Sequence, residues 1–402
     1  MLTSLALIFL LGLLLGQIFN RLKLPRLVGM ILGGIILGPY GLDLLNIHIL
    51  EISPDLRQLA LIIILTRAGL ALNVEDLKKV GRPAILMCFL PATFEILGMI
   101  LIAPRLLGIS VIDAAIMGAV VGAVSPAVIV PRMLKLIDEG YGEERSIPQL
   151  IMAGASVDDI FVIVLFTSFT ALAQGEKASV MALVNIPISI VLGILLGMIS
   201  GVILTEIFKR YHMGDSIKVL IILSVSFLFV EIENMTKGFF PISGLIAVMA
   251  MGATFLKKYN ILAERLSQRF SKLWVGAEIL LFVLVGATVD VSYSIAAGFS
   301  AVIVIIGALI FREIGVFCCL LKTKLNKKER LFCLMAYTPK ATVQAAIGGI
   351  PLAMGLSCGK IVLTVAVLAI LITAPLGALA IDVSYKRLLN KKDCGEELEE
   401  IS

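Results

Sequence analysis

Long apolar runs restrict this chain more than any other feature of its sequence. Stretches of about 20 residues with few charges recur from residue 1 to residue 383, and about 20 apolar residues are what a helix needs to cross a bilayer. Barrel strands would show shorter, alternating segments. With 59% hydrophobic and 16% charged residues, the chain is predicted to be an all-α polytopic membrane protein and not a soluble globular one.

The pattern predicts thirteen transmembrane helices. The segments lie at residues 1–20, 25–43, 56–73, 83–107, 109–136, 148–173, 181–208, 216–233, 239–256, 274–291, 298–321, 331–355 and 360–383. The first is interpreted as a retained helix, because it lacks a basic leader and a small-residue cleavage site. The basic stretch 257–273 is interpreted as an amphipathic helix on the membrane surface, and residues 384–402 as a short cytoplasmic tail.

Basic residues are distributed unevenly between the two sides of the membrane. If the N-terminus lies outside, the cytoplasmic loops and the tail contain 26 of the 34 Lys and Arg residues, and the outer side contains only Arg57, Arg105, Lys177, Lys237 and Lys360. Cytoplasmic loops are the ones that concentrate positive charge. This predicts a multi-pass protein of the cell (inner) membrane with a cytoplasmic C-terminus, anionic lipid at its basic face and no nucleic-acid partner.

Several motifs recur at a constant separation of 217 residues. The matching pairs are Gly69 and Gly286, Glu95 and Arg312, and Ser125 and Thr342. A displacement by seven helices reverses direction in the membrane, so the pattern predicts two inverted six-helix repeats joined by a linker helix at residues 181–209. Inverted repeats are typical of secondary transporters, whose site lies at the midplane between the repeats.

The fifth and twelfth segments are interrupted near the middle. Pro126 lacks an N–H and so frees the carbonyl of Gly122, and the stretch 339–351 contains two prolines and two glycines. Non-helical backbone at this depth is tolerated only where protein or a watery cavity surrounds it. Freed carbonyls are suitable cation ligands, although a kink used only for packing is the alternative. The side chains that add neutral oxygens are Ser125, Thr342 and Gln344.

Two adjacent carboxylates, Asp158 and Asp159, lie inside the sixth segment. A charge at the membrane centre costs about 2.5–3.5 kcal/mol, so such residues usually serve a function. Only an ionised carboxylate binds a small hard cation, so proton and cation are expected to compete for one site. We expect Asp159 to bind sodium or lithium, and Asp158 to bind a proton or to pair with Lys340. A structural polar pair is the alternative.

Glu95 and Arg312 are the other notable charges in apolar segments. As repeat partners they are expected to lie close together and to form a buried ion pair that holds the fourth and eleventh segments together. Arg312 stays protonated at physiological pH and cannot carry a coupled proton, whereas Lys340 can.

Four motifs, at residues 27–39, 122–131, 156–159 and 339–348, give a family resemblance. The chain resembles the monovalent cation/proton antiporters, in particular the bacterial NHA-type sodium/proton antiporters. This resemblance implies crossing broken helices, a homodimer and an elevator-type movement. It also implies a dimerisation part at residues 1–80 and 216–297 and an ion-transporting core at residues 83–174 and 298–383. Electrogenic relatives with two adjacent aspartates usually have a lysine at the position of Arg312, so this departure leaves the stoichiometry, electrogenic or electroneutral, open.

Together these features predict a single transmembrane domain, residues 1–402, that works as a sodium(lithium)/proton antiporter, with no enzyme activity and no cofactor. Potassium/proton exchange stays open, because the site oxygens do not fix the cavity size. A cation channel is less favoured, since inverted repeats around one carboxylate site indicate a carrier. So is a sodium-coupled symporter of organic anions, because the core segments contain few aromatic residues besides Phe161 and Tyr337.

Overall fold

The computed structural model describes residues 1–71, 81–174, 180–236 and 242–391. Its α-helices, in chain order, are α1 Leu2–Arg21, α2 Arg26–Leu37, α3 Ile47–Glu51, α4 Ser53–Ala71, α5 Arg82–Met87, α6 Leu90–Leu107, α7 Val111–Val121, α8 Pro126–Asp138, α9 Ile147–Ala173, α10 Val180–Arg210, α11 Asp215–Thr236, α12 Gly244–Lys258, α13 Asn260–Ala287, α14 Val291–Leu320, α15 Lys327–Ala336, α16 Thr342–Ile347, α17 Ile350–Ala353 and α18 Gly359–Leu388. The β-structure of the described residues is one isolated bridge between Tyr141 and Lys391.

Helical stretches long and apolar enough to cross a membrane dominate the fold. In the described residues there are eight of them: Leu2–Arg21, Arg82–Leu107, Val111–Asp138, Ile147–Ala173, Ile188–Arg210, Asn260–Ala287, Gly298–Leu320 and Gly359–Leu388. Two shorter apolar stretches, Arg26–Leu37 and Thr342–Ala353, accompany them. The predicted all-α multi-pass architecture is confirmed, and the count of thirteen spans stays a prediction.

The basic stretch 257–273 does not form a separate surface helix, so that prediction is wrong. α13 continues without interruption from Asn260 to Ala287. Leu262, Leu266, Phe270 and Trp274 of its first turns are buried. Because these residues recur every four positions, they form an apolar stripe on one helix face, and the lysines and arginines that suggested a surface helix occupy the remaining positions.

Two predicted boundaries differ from the helix ends of the structure. Arg57, assigned to the outer side, lies within α4, which begins at Ser53, and is buried with 3% of its surface exposed. The predicted tail begins inside α18, which ends at Leu388. The orientation stays a prediction, and of the basic residues used for it Lys78, Lys79, Lys177, Lys237 and Lys392 lie outside the described ranges.

Small residues allow α2 and α13 to pack closely. A Cβ added to Gly34 would collide with the carbonyl oxygen of Val283, and a Cβ added to Gly286 would collide with that of Ile31. Small residues at helix interfaces are what bring backbones together in membranes, where lipid removes the hydrophobic drive for association. The two helices therefore depend on glycine for their contact.

The helices pack in two groups. The scaffold group consists of α1, α2, α4 and α11–α13, and α10 lies against its α12; the core group consists of α5–α9 and α14–α18. Within the core group α6 packs along α14, and α7 packs against α6 and α9. The groups meet where α16 contacts α4 and α13.

Candidate functional site

Two interruptions of helical structure cross inside the core group. Residues 122–125 separate α7 from α8, and residues 337–341 separate α15 from α16. The N–H of Ser125 donates to the carbonyl of Pro339 at 2.8 Å, so the two interruptions touch directly. Each supplies backbone groups that helical hydrogen bonding would otherwise use.

Arg312 lies at the centre of a buried network of charges. Its Nη1 donates to Oε2 of Glu95 at 2.8 Å and its Nη2 to Oδ2 of Asp158 at 3.1 Å. Nη1 also donates to the carbonyl of Gly122, and Nε donates to the carbonyl of Tyr337 at 2.9 Å. The Arg312 residue is 0% exposed, and a buried charge needs this degree of pairing. The guanidinium ties α14 to α6, α9 and both interruptions.

Lys340 pairs with Glu95 and not with Asp158, which corrects one prediction. Its Nζ lies 2.5 Å from Oε2 of Glu95, and its backbone N–H donates to Oγ1 of Thr373 at 2.9 Å. Asp158 instead accepts from Arg312 and from the N–H of Val124, the latter at 2.9 Å. The partners differ from the prediction because Arg312 is long enough to reach both Glu95 and Asp158.

The charges of this network cancel when all four groups are ionised. Glu95 and Asp158 supply two negative charges, and Arg312 and Lys340 supply two positive ones. Asp159 forms none of the salt bridges of the described residues and is 7% exposed. Its Oδ1 is buried and has no hydrogen-bond donor in that part of the chain. An ionised Asp159 therefore has no counter-charge of its own.

Asp159 lies on the face of α9 that points toward the scaffold group. Residues four apart share one helix face, and Ile163, four residues further on, borders a small gap together with Leu65 of α4 and Met249 of α12. Asp158 points instead toward the interruption at residues 122–125, as its bond to Val124 shows. The two neighbouring carboxylates therefore face different parts of the protein.

The neutral oxygens predicted near the carboxylates also come together. Oγ of Ser125 lies 3.5 Å from Oγ1 of Thr342. Nε2 of Gln344 donates to the carbonyl of Ala123 at 2.9 Å and to that of Val121 at 3.3 Å. Ser125, Thr342 and Gln344 are buried.

The carbonyl of Gly122, expected to be open to a cation, instead accepts from Arg312. This expectation was wrong because the guanidinium of Arg312 donates a hydrogen bond to the freed carbonyl. Four buried oxygens around the crossing lack a donor in the described residues: Oδ1 of Asp158, Oδ1 of Asp159, Oε1 of Gln344 and Oε2 of Glu313. Such oxygens suit a small hard cation. The other oxygen of Glu313 accepts from Thr338 of the second interruption at 3.3 Å.

Tyr337 is a member of the site that the sequence did not reveal as one. Its hydroxyl donates to the carbonyl of Met87 at 2.9 Å, its ring centroid lies 5.0 Å from Cζ of Arg312, and its carbonyl accepts from Nε of that residue. The only signal was its place two residues before Pro339. The residue anchors the second interruption to α5 and to the guanidinium.

No cluster of three or more His, Cys, Asp or Glu side chains that would suit a resident metal ion occurs in the described parts of the chain.

Comparison with known proteins decides the family. The family model described as "Sodium/hydrogen exchanger, transmembrane" matches residues 5–383. The chain belongs to the sodium/hydrogen exchanger family. The resemblance to monovalent cation/proton antiporters is thereby confirmed, and so is the prediction that the protein is a membrane transporter and not an enzyme.

Curated relatives in this family cover most of the chain. The human protein "Sodium/hydrogen exchanger 9B2" is 33% identical over 395 residues, which span 94% of this chain and 72% of the relative. The mouse protein "Sodium/hydrogen exchanger 9B1" is 33% identical over 384 residues, which span 92% of this chain and 67% of the relative.

A solved structure shares the fold. The sodium proton antiporter MjNhaP1 from Methanocaldococcus jannaschii at pH 8 superposes with a TM-score of 0.84, covers 96% of this chain and 98% of its own, and is 20% identical in sequence. At this identity the likeness is one of fold, and it extends over nearly all of both chains.

Proposed function

We propose that this protein exchanges sodium or lithium for protons and that Asp159 is the carboxylate for which cation and proton compete. The observation that carries the proposal is the charge balance of the site. Asp158, Glu95, Arg312 and Lys340 neutralise one another, and Asp159 is left beside them as an unpaired carboxylate with an unsatisfied oxygen.

Competition at one carboxylate is enough to couple the two fluxes. An ionised Asp159 attracts a monovalent cation, which the unpartnered oxygens of Asp158 and Gln344 help to coordinate. A proton on Asp159 removes the charge that holds the ion. If the site faces one side of the membrane at a time, the carrier crosses with one or the other. Arg312 and Lys340 act as positioning residues, because they fix Asp158 and Glu95.

Inverted six-helix repeats within thirteen spans are part of the proposal. If a two-fold axis relates the two repeats, residues close to that axis contact the equivalent residues of the other repeat. Two pairs separated by 217 residues make such contacts. Glu95 contacts Arg312 at 2.8 Å, and Ser125 lies beside Thr342 at 3.5 Å. These contacts support an axis that passes near the crossing of the two interruptions.

An elevator-type movement of the core group against the scaffold group would provide the alternating access. The core part is proposed at residues 83–174 and 298–383, with 181–209 as linker. All four members of the charge network belong to the core group, so the network can move as one unit without breaking an ion pair. Such a break would cost about 3–5 kcal/mol. Across the proposed sliding surface, Leu65, Ile163 and Met249 are apolar.

The assembly and placement follow the family resemblance. We propose a homodimer formed through residues 1–80 and 216–297, in the cell membrane, with the N-terminus outside and residues 384–402 in the cytoplasm. The names of the relatives, sodium/hydrogen exchangers and a sodium proton antiporter, favour sodium over potassium as the cation.

The test is exchange driven by a pH gradient in proteoliposomes, measured with Na⁺, Li⁺ and K⁺ in turn. Asp159→Asn is expected to abolish the response to Na⁺ and Li⁺, because a neutral amide cannot hold the ion or release a proton. Asp138→Asn makes the same change at an exposed position and serves as the control. Exchange at the wild-type rate in the Asp159→Asn variant would refute the site, and a response to K⁺ alone would refute the choice of cation.

A further inference from the structure

A basic cleft opens beside the short loop that joins α14 to α15. Its volume is about 520 Å³, within the range of about 300–1,000 Å³ that small-molecule sites occupy. The side chains that line it are Pro83, Glu144, Arg145, Leu150, Lys322, Thr323, Lys324 and Leu325. We call this feature the basic cleft. None of the residues that line it is a member of the proposed transport site.

Positive charge dominates the basic cleft. Lys322 and Lys324 are exposed and form none of the ion pairs of the described residues. Arg145 has a partner only at 3.6 Å, Oε2 of Glu329, and Glu144 is the one acidic residue in the lining. Lysines held together without acidic partners repel one another, so an anion between them would be favourable.

Side chains of α5 and α15 donate hydrogen bonds to the loop that contains Lys322 and Lys324. Arg82 donates to the carbonyl of Leu321 at 3.4 Å, and Nη2 of Arg330 donates to the carbonyl of Thr323 at 3.2 Å. Asn326 and Glu329 form a reciprocal capping box at the start of α15. The loop is therefore preorganised, which lowers the entropy lost when a ligand binds.

A buried donor without a partner lies beneath the same loop. Nε of Arg330 is buried and has no acceptor in the described part of the chain. An unsatisfied donor of a charged group costs free energy. Nη2 of the same side chain bonds to Thr323 of the lining, so Arg330 adds a positive charge next to the basic cleft without lining it.

We propose that the basic cleft binds a phosphate-bearing anion that links the ends of three core segments. Three segments form the wall of the cleft. They are α5, which precedes the helix of Glu95, the first turn of α9, the helix that also contains Asp158, and the loop that follows the helix of Arg312. A phosphate group offers several oxygens to amino and guanidinium donors at once. The phosphate of an anionic lipid and free inorganic phosphate share this chemistry.

The cleft lies at the ends of three stretches that are long and apolar enough to cross a membrane, Arg82–Leu107, Ile147–Ala173 and Gly298–Leu320, and the ends of membrane-spanning helices are where lipid headgroups meet a protein. Each lysine near an anionic surface contributes about 1 kcal/mol. Neutralising Lys322 and Lys324 together is therefore expected to weaken binding about 30-fold. This inference does not depend on the identity of the transported ion.

Binding can be measured on the purified full chain by the rise of its thermal unfolding midpoint. The probes are phosphatidylglycerol, neutral phosphatidylcholine and inorganic phosphate, the last against chloride at equal ionic strength. Wild type is compared with Lys322→Gln/Lys324→Gln and with Lys257→Gln/Lys258→Gln. The second pair removes the same charge from exposed positions at the end of α12, away from the cleft.

We expect phosphatidylglycerol to raise the midpoint of wild type and of the Lys257→Gln/Lys258→Gln protein, and to require about 30-fold more lipid in the Lys322→Gln/Lys324→Gln protein. If inorganic phosphate also raises the midpoint, the cleft recognises a phosphate group from any source. If only the lipid raises it, the cleft recognises a lipid headgroup. Stabilisation that both double variants lose equally, or that no phosphate-bearing probe produces, would overturn the proposal.

Discussion

At the scale of single residues, Arg312 organises the site because, within the described parts of the chain, it is the one side chain that hydrogen-bonds to both Glu95 and Asp158. A guanidinium does not lose its proton at physiological pH, so it keeps a constant charge through a transport cycle. Lys340 adds a second cation at Glu95. Asp159, one position beyond the residue that Arg312 holds, forms no salt bridge in the described residues, so its charge can vary without breaking one of these ion pairs.

The ion pair itself can be tested through stability. Glu95→Ala and Arg312→Ala should each lower the free energy of unfolding by about 3–5 kcal/mol, because each leaves a buried charge without a partner. The double variant should lose less than the sum of the two, since each single variant already loses the attraction between Glu95 and Arg312 and the sum counts this loss twice. Thermal unfolding of the four proteins in one detergent gives the comparison. Strictly additive losses would mean that the contact at 2.8 Å carries no coupling energy.

Arg57 and Gly349 provide a second test at this scale. A Cβ on Gly349 would collide with Nη1 of Arg57, and Arg57 is buried in α4. Gly349→Ala should therefore lower the unfolding midpoint by several degrees, as expected for a loss of about 1–3 kcal/mol by overpacking. Gly298→Ala, where nothing lies within 4 Å of the added Cβ, should have little effect.

The collision with Arg57 has a specific signature. Arg57→Ala in the Gly349→Ala background should recover part of the lost stability, because it removes the group that the methyl displaces. If the double variant is as unstable as the two single losses added together, the steric explanation fails and the glycine acts through backbone freedom instead.

What the sequence reveals about single residues depends on the repeat. The constant separation of 217 residues predicted that Glu95 lies close to Arg312, and the two are in contact. Ser125 and Thr342, which share this separation, also lie side by side. The partner of Lys340 was not predictable in the same way. It depends on how the two interruptions cross in three dimensions and on the reach of one long side chain, and no spacing along the chain encodes either quantity.

At the scale of elements, prolines lie at the two helix interruptions that border the proposed site. Pro126 begins α8 and Pro339 lies in the second interruption, as the missing N–H of proline requires. Pro131, however, lies inside α8, so a proline five residues after Pro126 does not end the helix. Proline marks a possible break, and neighbouring hydrogen bonds decide whether the chain uses it.

The length of α13 was missed for a related reason. Charged residues at 257–273 resembled a surface helix, while the stripe of Leu262, Leu266 and Phe270 packs inward. A helix that continues past the hydrocarbon core can bury one face against protein and keep lysines on the other. Hydropathy averaged over the stretch does not separate these two faces.

The contact between α2 and α13 can be tested with two alanines on one helix. Gly286→Ala should lower the unfolding midpoint, because the new Cβ would collide with the carbonyl oxygen of Ile31. Gly276→Ala lies on the same helix, where the nearest atom to an added Cβ is Cε1 of Phe9 at 3.9 Å, and should be neutral. Equal effects of both changes would show that helix propensity and not packing controls this position.

At the scale of the whole molecule, the proposed elevator-type mechanism requires the core group to move against the scaffold group. Leu65 of α4, Ile163 of α9 and Met249 of α12 border one small gap. In a background without the native cysteines, a cross-link through Leu65→Cys and Ile163→Cys should stop exchange, because it joins the two groups. Breaking the cross-link should restore exchange.

The matched control joins two helices of the scaffold group through Leu65→Cys and Met249→Cys, and exchange should continue there. Full exchange in the protein cross-linked between α4 and α9 would contradict a sliding movement at this surface. Loss of exchange in both cross-linked proteins would show that any rigid link across the gap is harmful, and the elevator proposal would lose its support.

The central claim is that proton and cation compete for one carboxylate, and the most direct measurement is the dependence of the apparent KM for Na⁺ on pH in proteoliposomes. As pH falls, protons occupy Asp159 more often, so more Na⁺ is needed to displace them. In the range where Asp159 is mostly protonated, the account predicts that KM rises up to tenfold for each pH unit while the maximal rate at saturating Na⁺ stays the same. A KM that does not change with pH, combined with a falling maximal rate, would contradict competition at a single site.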